Sequence, residues 1–105
     1  MPYEEFSFIL PRFDNDGAPI DQAHKKAQAF MLGAWGGYTE QNVKGVWQSA
    51  TGQIYRDENV LYTVAIPTRA VEYDRFMTLA RELLYLARQE ALYVKTPQGV
   101  QFITE

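Results

Sequence analysis

His24 is the only histidine in the sequence, and so the only side chain whose ordinary pKa lies near neutrality. As a general base it needs a partner to orient its ring and a pocket beside it; as a metal ligand it needs companions. The chain has no cysteine and no second histidine, which removes thiolate and paired-imidazole metal sites along with disulfides and thiol nucleophiles. His24 falls between the apolar stripe and the solvent side of a helical segment. A boundary histidine is the plain reading.

Thirteen acidic side chains make close pairs inevitable. The tightest are Glu4-Glu5, Asp14/Asp16 and Asp57-Glu58. Neighbours in a strand point to opposite faces, so Glu4 and Glu5 cannot share one substrate. Asp14 and Asp16 lack the remaining ligands of a calcium loop, and turn chemistry accounts for them. No catalytic set, metal site or cofactor site is expected from these residues. The binding candidates are aromatic: Trp47, Tyr55, Trp35 and Tyr38, with Arg56 beside them. Large rings anchor interfaces and stack on ligands. The reading favoured by how often large rings are buried is the structural one, in which Trp47 caps an open end of the core while Trp35 seals a helix terminus. Gly33 and Gly36-Gly37 lack the spacing and the strand-before-helix setting of a phosphate cradle, and read as a helix stop.

Alternation defines the elements that carry these residues. Tyr3 to Leu10 reads as a strand with Phe6, Phe8 and Leu10 on one face. Pro11 ends it, and Asp14-Asn15-Asp16-Gly17 is a turn. Pro19 suits a first helical turn, after which Ile20, Ala23, Ala27, Phe30, Met31 and Ala34 recur at helical spacing up to the glycines. Val43 to Gln48 and Gln53 to Ile66 read as a hairpin, bulged near Asp57-Glu58-Asn59. Ala70 to Gln89 is a second helix, with Phe76, Leu79, Ala80, Leu83 and Ala87 buried and Arg88 late, complementing the dipole. Leu92 to Lys95 is a strand, and the Thr96-Pro97-Gln98-Gly99 turn directs Val100 to Ile103 back as an extra edge strand.

This order predicts one α+β domain over residues 1–105, a ferredoxin-like β-α-β-β-α-β sandwich with an antiparallel sheet and both helices on one face. The first and third strands lie side by side in its centre. The end of the first strand then meets the start of the fourth, which predicts an ion pair between Arg12 and Glu90.

The 105 residues are 47% hydrophobic and 22% charged, which fits a folded globular chain rather than disorder. Net charge is −3, and Lys25-Lys26 is the only adjacent basic pair, so nucleic acid is not an expected partner. An RNA-recognition module of this topology stacks bases on exposed central strands. Here those positions are Glu5, Ser7, Ile9, Leu61, Thr63 and Ala65, neither aromatic nor basic. No apolar run approaches the ~20 residues that span a bilayer, and the first residues lack a signal peptide's pattern, so a cytoplasmic protein is expected.

The hairpin pattern Gly45-x-Trp47-x4-Gly52-x-Ile54-x-Arg56-Asp57, followed by Gln89-Glu90-Ala91-Leu92 entering a strand, resembles a family of small, uncharacterised bacterial and phage-borne domains. The likeness covers the second half of the chain. It implies a ferredoxin-like fold and no activity.

These residues identify no reaction. The reading they favour is a non-catalytic protein-interaction or self-associating module, with a protein partner or a homodimer formed through a sheet face that mixes Ile9, Val46, Leu61, Ala65 and Tyr93 with polar residues. The alternative is a small dimeric enzyme of monooxygenase or isomerase type with a pocket between sheet and helices, an analogy from fold. That alternative requires a polar group such as His24, Tyr62 or Arg56 inside a real cavity.

Overall fold

The computed structural model describes residues 2–105. The elements run β1 (Tyr3–Pro11), α1 (Asp21–Trp35), β2 (Thr39–Gln48), β3 (Ile54–Pro67), α2 (Ala70–Leu86), β4 (Ala91–Thr96) and β5 (Gly99–Thr104). The strands form one antiparallel sheet in the order β2-β3-β1-β4-β5. This is the expected α+β, ferredoxin-like arrangement, with β1 and β3 adjacent and β5 as the added edge.

Alternation supplies the core. Phe6, Phe8 and Leu10 pair with Val64, Tyr62 and Val60 across β1 and β3, and all six are at most 3% exposed. They form one cluster with Ala23, Ala27 and Met31 of α1 and with Phe76, Leu79, Ala80 and Leu83 of α2. Phe8 stacks on Tyr62 at 5.2 Å and meets Phe76 at 6.1 Å, so one ring ties both central strands to a helix. Fully burying such side chains contributes about 1.5–3 kcal/mol each. The opposite face carries Ser7, Ile9, Leu61 and Thr63, as cross-strand partners Ser7↔Thr63 and Ile9↔Leu61.

Several boundaries differ from the sequence reading. Pro19 lies outside α1, in a bridge with Phe13, and the helix begins at Asp21. It ends at Gly36, whose left-handed φ of 82° lets its N–H reach the Leu32 carbonyl. β2 begins at Thr39, four residues early, because Thr39–Asn42 pair with Val60–Thr63. The expected bulge near Asp57 is absent: the β2–β3 register runs unbroken from Gln48↔Ile54 to Thr39↔Thr63.

α2 stops at Leu86, so Arg88 does not serve the helix dipole. Arg88 adopts a left-handed φ of 53°, and Gln89 N–H bonds the Leu84 carbonyl, closing the helix in a Schellman turn. Its guanidinium meets Asp14 at 2.7 Å. Asp14 Oδ1 also accepts from the N–H groups of Asp16 and Ala18, which is the turn chemistry expected of it.

β1 pairs with β3 only as far as Pro11↔Asn59. Beyond that point the β2–β3 hairpin runs on as a two-stranded arm, and residues 50–58 are all exposed. The predicted Arg12–Glu90 ion pair does not form: the Arg12 guanidinium turns across β3 to the Asn42 side-chain oxygen on β2. β1 and β4 are in register only at Ser7↔Lys95 and Phe8↔Val94, so their ends diverge before Arg12.

Candidate functional site

On α1, Asp21, His24, Lys25 and Gln28 recur at three- and four-residue spacing and share one side of the helix. That side overhangs β2 and β3, where Glu40 is the cross-strand partner of Tyr62 and lies on the same sheet face. Arg12 and Phe13, just after β1, close the end. Together these residues line an open cleft of about 460 Å³. Small-molecule sites commonly fall in the range of about 300–1,000 Å³.

A polar chain runs through its floor. His24 Nε2 lies 2.9 Å from the Pro11 carbonyl, and Nδ1 lies 2.7 Å from the Tyr62 hydroxyl. A carbonyl only accepts, so Nε2 carries the proton, and in the neutral ring Nδ1 accepts from Tyr62. The Tyr62 oxygen in turn accepts from the Gln28 amide at 3.1 Å. Burial pushes the Tyr62 pKa above its ordinary value of 10.0; Gln28 opposes this, Glu40 and Tyr38 add to it, and Arg12 opposes it. Tyr62 is therefore a neutral hydroxyl at physiological pH, held between one acceptor, His24, and one donor, Gln28. Tyr38 packs edge-on against it at 5.8 Å.

The rim carries two cations, Arg12 and Lys25, and two carboxylates, Asp21 and Glu40, around an apolar wall of Phe13, Val60 and the Tyr62 ring. Paired opposite charges at one mouth suit a zwitterionic small molecule. Among the described residues no group of three or more His, Cys, Asp or Glu could hold a metal ion.

The five aromatic and basic candidates from the sequence do not converge. Trp47, Tyr55 and Arg56 lie on the hairpin arm and line a second cleft of about 670 Å³ that shares Phe13 with the first. Trp47 is 52% exposed, which overturns its reading as a core cap: among the described residues no third strand covers the arm. Trp35 does seal its helix terminus. Its indole donates to the buried Glu72 carboxylate at 2.7 Å, and that bond, with Arg75 and Arg69 nearby, holds the Glu72 pKa below its usual value against desolvation. Tyr38 reaches the first cleft only through Tyr62.

Sequence reasoning missed Glu40, Arg12 and Gln28 as site residues. Glu40 fell in a segment read as loop. The stretch from Thr39 to Asn42 is polar throughout, so no local rhythm marks it, and its pairing with Val60–Thr63 makes it strand.

No family model matches the chain, and no curated protein matches it. Among solved structures, the chain is similar to a phage SAM lyase in complex with S-methyl-5'-thioadenosine, with TM-score 0.75 and 16% identity, covering 98% of this chain and 90% of that one. It is also similar to a phage SAM lyase in the apo state, with TM-score 0.67 and 18% identity over 97% and 89% of the two chains. At such identities the likeness shows the fold. Both neighbours are enzymes, which corrects the reading of a non-catalytic interaction module and fits the small-enzyme alternative better.

Proposed function

We propose that this protein is a lyase that breaks a carbon–sulfur bond of S-adenosylmethionine or a closely related sulfonium, with the α1–β2 cleft as the reaction site. The observation that carries the reading is the fold shared along 98% of the chain with a SAM lyase holding S-methyl-5'-thioadenosine. The cleft supplies what that chemistry asks for. A sulfonium sulfur leaves as a neutral thioether and takes the electron pair of the broken S–Cγ bond, so the departing group needs no acid. The four-carbon fragment then closes in one of two ways. Either its own carboxylate oxygen bonds Cγ, or a base removes a Cβ proton as the double bond forms.

Arg12 and Lys25 suit the substrate's α-carboxylate, and Glu40 and Asp21 its α-ammonium. When carboxylate and sulfonium react with each other, charge disappears in the transition state. An apolar wall of Phe13, Val60 and the Tyr62 ring solvates that less charged transition state better than it does the separated ions. The role of the Tyr62–His24–Pro11 chain is to hold the wall in place with no polar atom unsatisfied.

Incubation of purified protein with S-adenosylmethionine tests this directly. Mass spectrometry is expected to show S-methyl-5'-thioadenosine accumulating well above the enzyme-free blank, matched one to one by a four-carbon product. The two routes give isomers of equal mass, so substrate deuterated at Cβ identifies the route, since only elimination loses a deuterium. A rate equal to the blank at millimolar substrate would reject the reading.

A further inference from the structure

Trp47 and Tyr55 are cross-strand partners on the hairpin arm, with rings 4.5 Å apart and 16° from parallel. The polar edge of each is already tied. The indole N–H donates to Asp57 Oδ2 at 2.9 Å, and the phenol donates to Gln53 Oε1 at 3.1 Å. The rings are thus fixed in place while their apolar surface stays in water, Trp47 at 52% and Tyr55 at 37% exposed. Packing does not explain this, since the core ends at the β1–β3 pairing and none of the described residues covers the arm. A pre-set pair of flat rings lowers the ordering cost of stacking a third flat ring beside it.

The same cleft is rimmed by the carboxylates of Asp57 and Glu58 against the cation Arg56, while the Asp14 carboxylate at its edge is taken by Arg88. Carboxylates accept hydrogen bonds and repel phosphate. A ribose diol offers donors and no charge. This balance selects a nucleoside over a nucleotide.

We infer that the Trp47–Tyr55 pair is the base platform of a purine-nucleoside subsite, with the ribose hydroxyls donating to Asp57, which shares the face of Tyr55. Trp47 and Tyr55 lie on the sheet face opposite Tyr62 and Glu40. Phe13, past the end of β1, lines both clefts, so a substrate whose amino-acid end lies in the α1–β2 cleft would pass Phe13 to place its adenosine end on the platform. The identity of that substrate rests on the lyase reading; the platform itself does not.

Trp35 and Trp47 are the only tryptophans, so the W35F variant reports Trp47 alone. Titration of W35F with S-methyl-5'-thioadenosine is expected to quench its emission saturably, while AMP and ATP at the same concentrations leave it unchanged. Calorimetry on the W47A variant of the otherwise native chain is expected to show at least a tenfold weaker Kd for S-methyl-5'-thioadenosine. Unchanged calorimetric affinity in W47A, or equal quenching by ATP, overturns the inference. The two proposals fail separately. Quenching without any cleavage of S-adenosylmethionine sinks the lyase and leaves the platform, whereas cleavage by W47A with an unaltered KM does the reverse.

Discussion

The His24 imidazole and the Tyr62 hydroxyl, 38 residues apart in the chain, meet at 2.7 Å where α1 crosses β3. The pair joins helix to sheet by a hydrogen bond at the edge of an otherwise apolar core. Each partner also reaches further, His24 to the Pro11 carbonyl and Tyr62 to Gln28. The cleft floor and the end of β1 are therefore one connected unit.

Y62F deletes the hydroxyl and leaves His24 Nδ1 and the Gln28 amide without that partner. Unsatisfied groups in such places cost about 1–3 kcal/mol, which a urea titration resolves. The same variant changes the alkaline limb. Because the folded Tyr62 pKa is raised, its neutral form is preferred by the native state, so its contribution is complete below pH 10.0 and is lost as pH rises through the higher folded value. Wild type should lose stability in that window more steeply than Y62F; parallel limbs would contradict the assignment.

Phe8 is fully buried and touches Tyr62 and Phe76. F8A opens a cavity between the central strands and α2, with an expected loss of about 3–5 kcal/mol. Y85A, at a residue 76% exposed on α2, should fall within about 0.5 kcal/mol of wild type and serves as the control.

Arg88 combines an unfavourable backbone with a favourable side chain. Its left-handed φ strains any L-residue, while its guanidinium holds Asp14. R88A and R88G both lose the ion pair, but only glycine relieves the backbone, so R88G should be the more stable of the two by about 1 kcal/mol. Asp14 has its pKa held below 3.8 by the Ala18 N–H first and by Arg88 next. Its contribution is present above pH 3.8 and disappears as pH falls through the lower folded value, so D14N should flatten the acid limb of a stability–pH curve.

Glu40 and Arg12 face the cleft mouth from different strands' ends, and neither is part of the core. If they bind the substrate's amino-acid end, E40Q and R12A should each raise KM for S-adenosylmethionine about tenfold, equivalent to about 1.4 kcal/mol, with a smaller change in kcat. A loss confined to kcat would move both residues from binding to the chemical step.

Much of this architecture is legible without coordinates because it is local. Alternation at Phe6, Phe8, Val60, Tyr62 and Val64 marks the buried sheet face, and helical spacing at Ala23, Ala27 and Met31 marks the stripe that covers it. The same rules stop short at the site. Glu40 sits in a polar stretch with no apolar rhythm, so nothing local marks it as strand; pairing with Tyr62 does. Trp47 was expected in the core because large rings usually are buried, yet burial depends on whether a third strand reaches it, and β1 ends at Pro11.

The order of residues along the chain was enough to determine the α+β layout, the sheet face that meets the helices and the turn at Asp14, since each depends on interactions within a few residues. Only the tertiary structure decided that His24 reaches Tyr62, that Arg12 turns to Asn42 rather than Glu90, and that Trp47 and Tyr55 stand in water. Those outcomes depend on strand register and on where one strand outruns its neighbour, and both are set by packing between distant segments rather than by any residue's own preference.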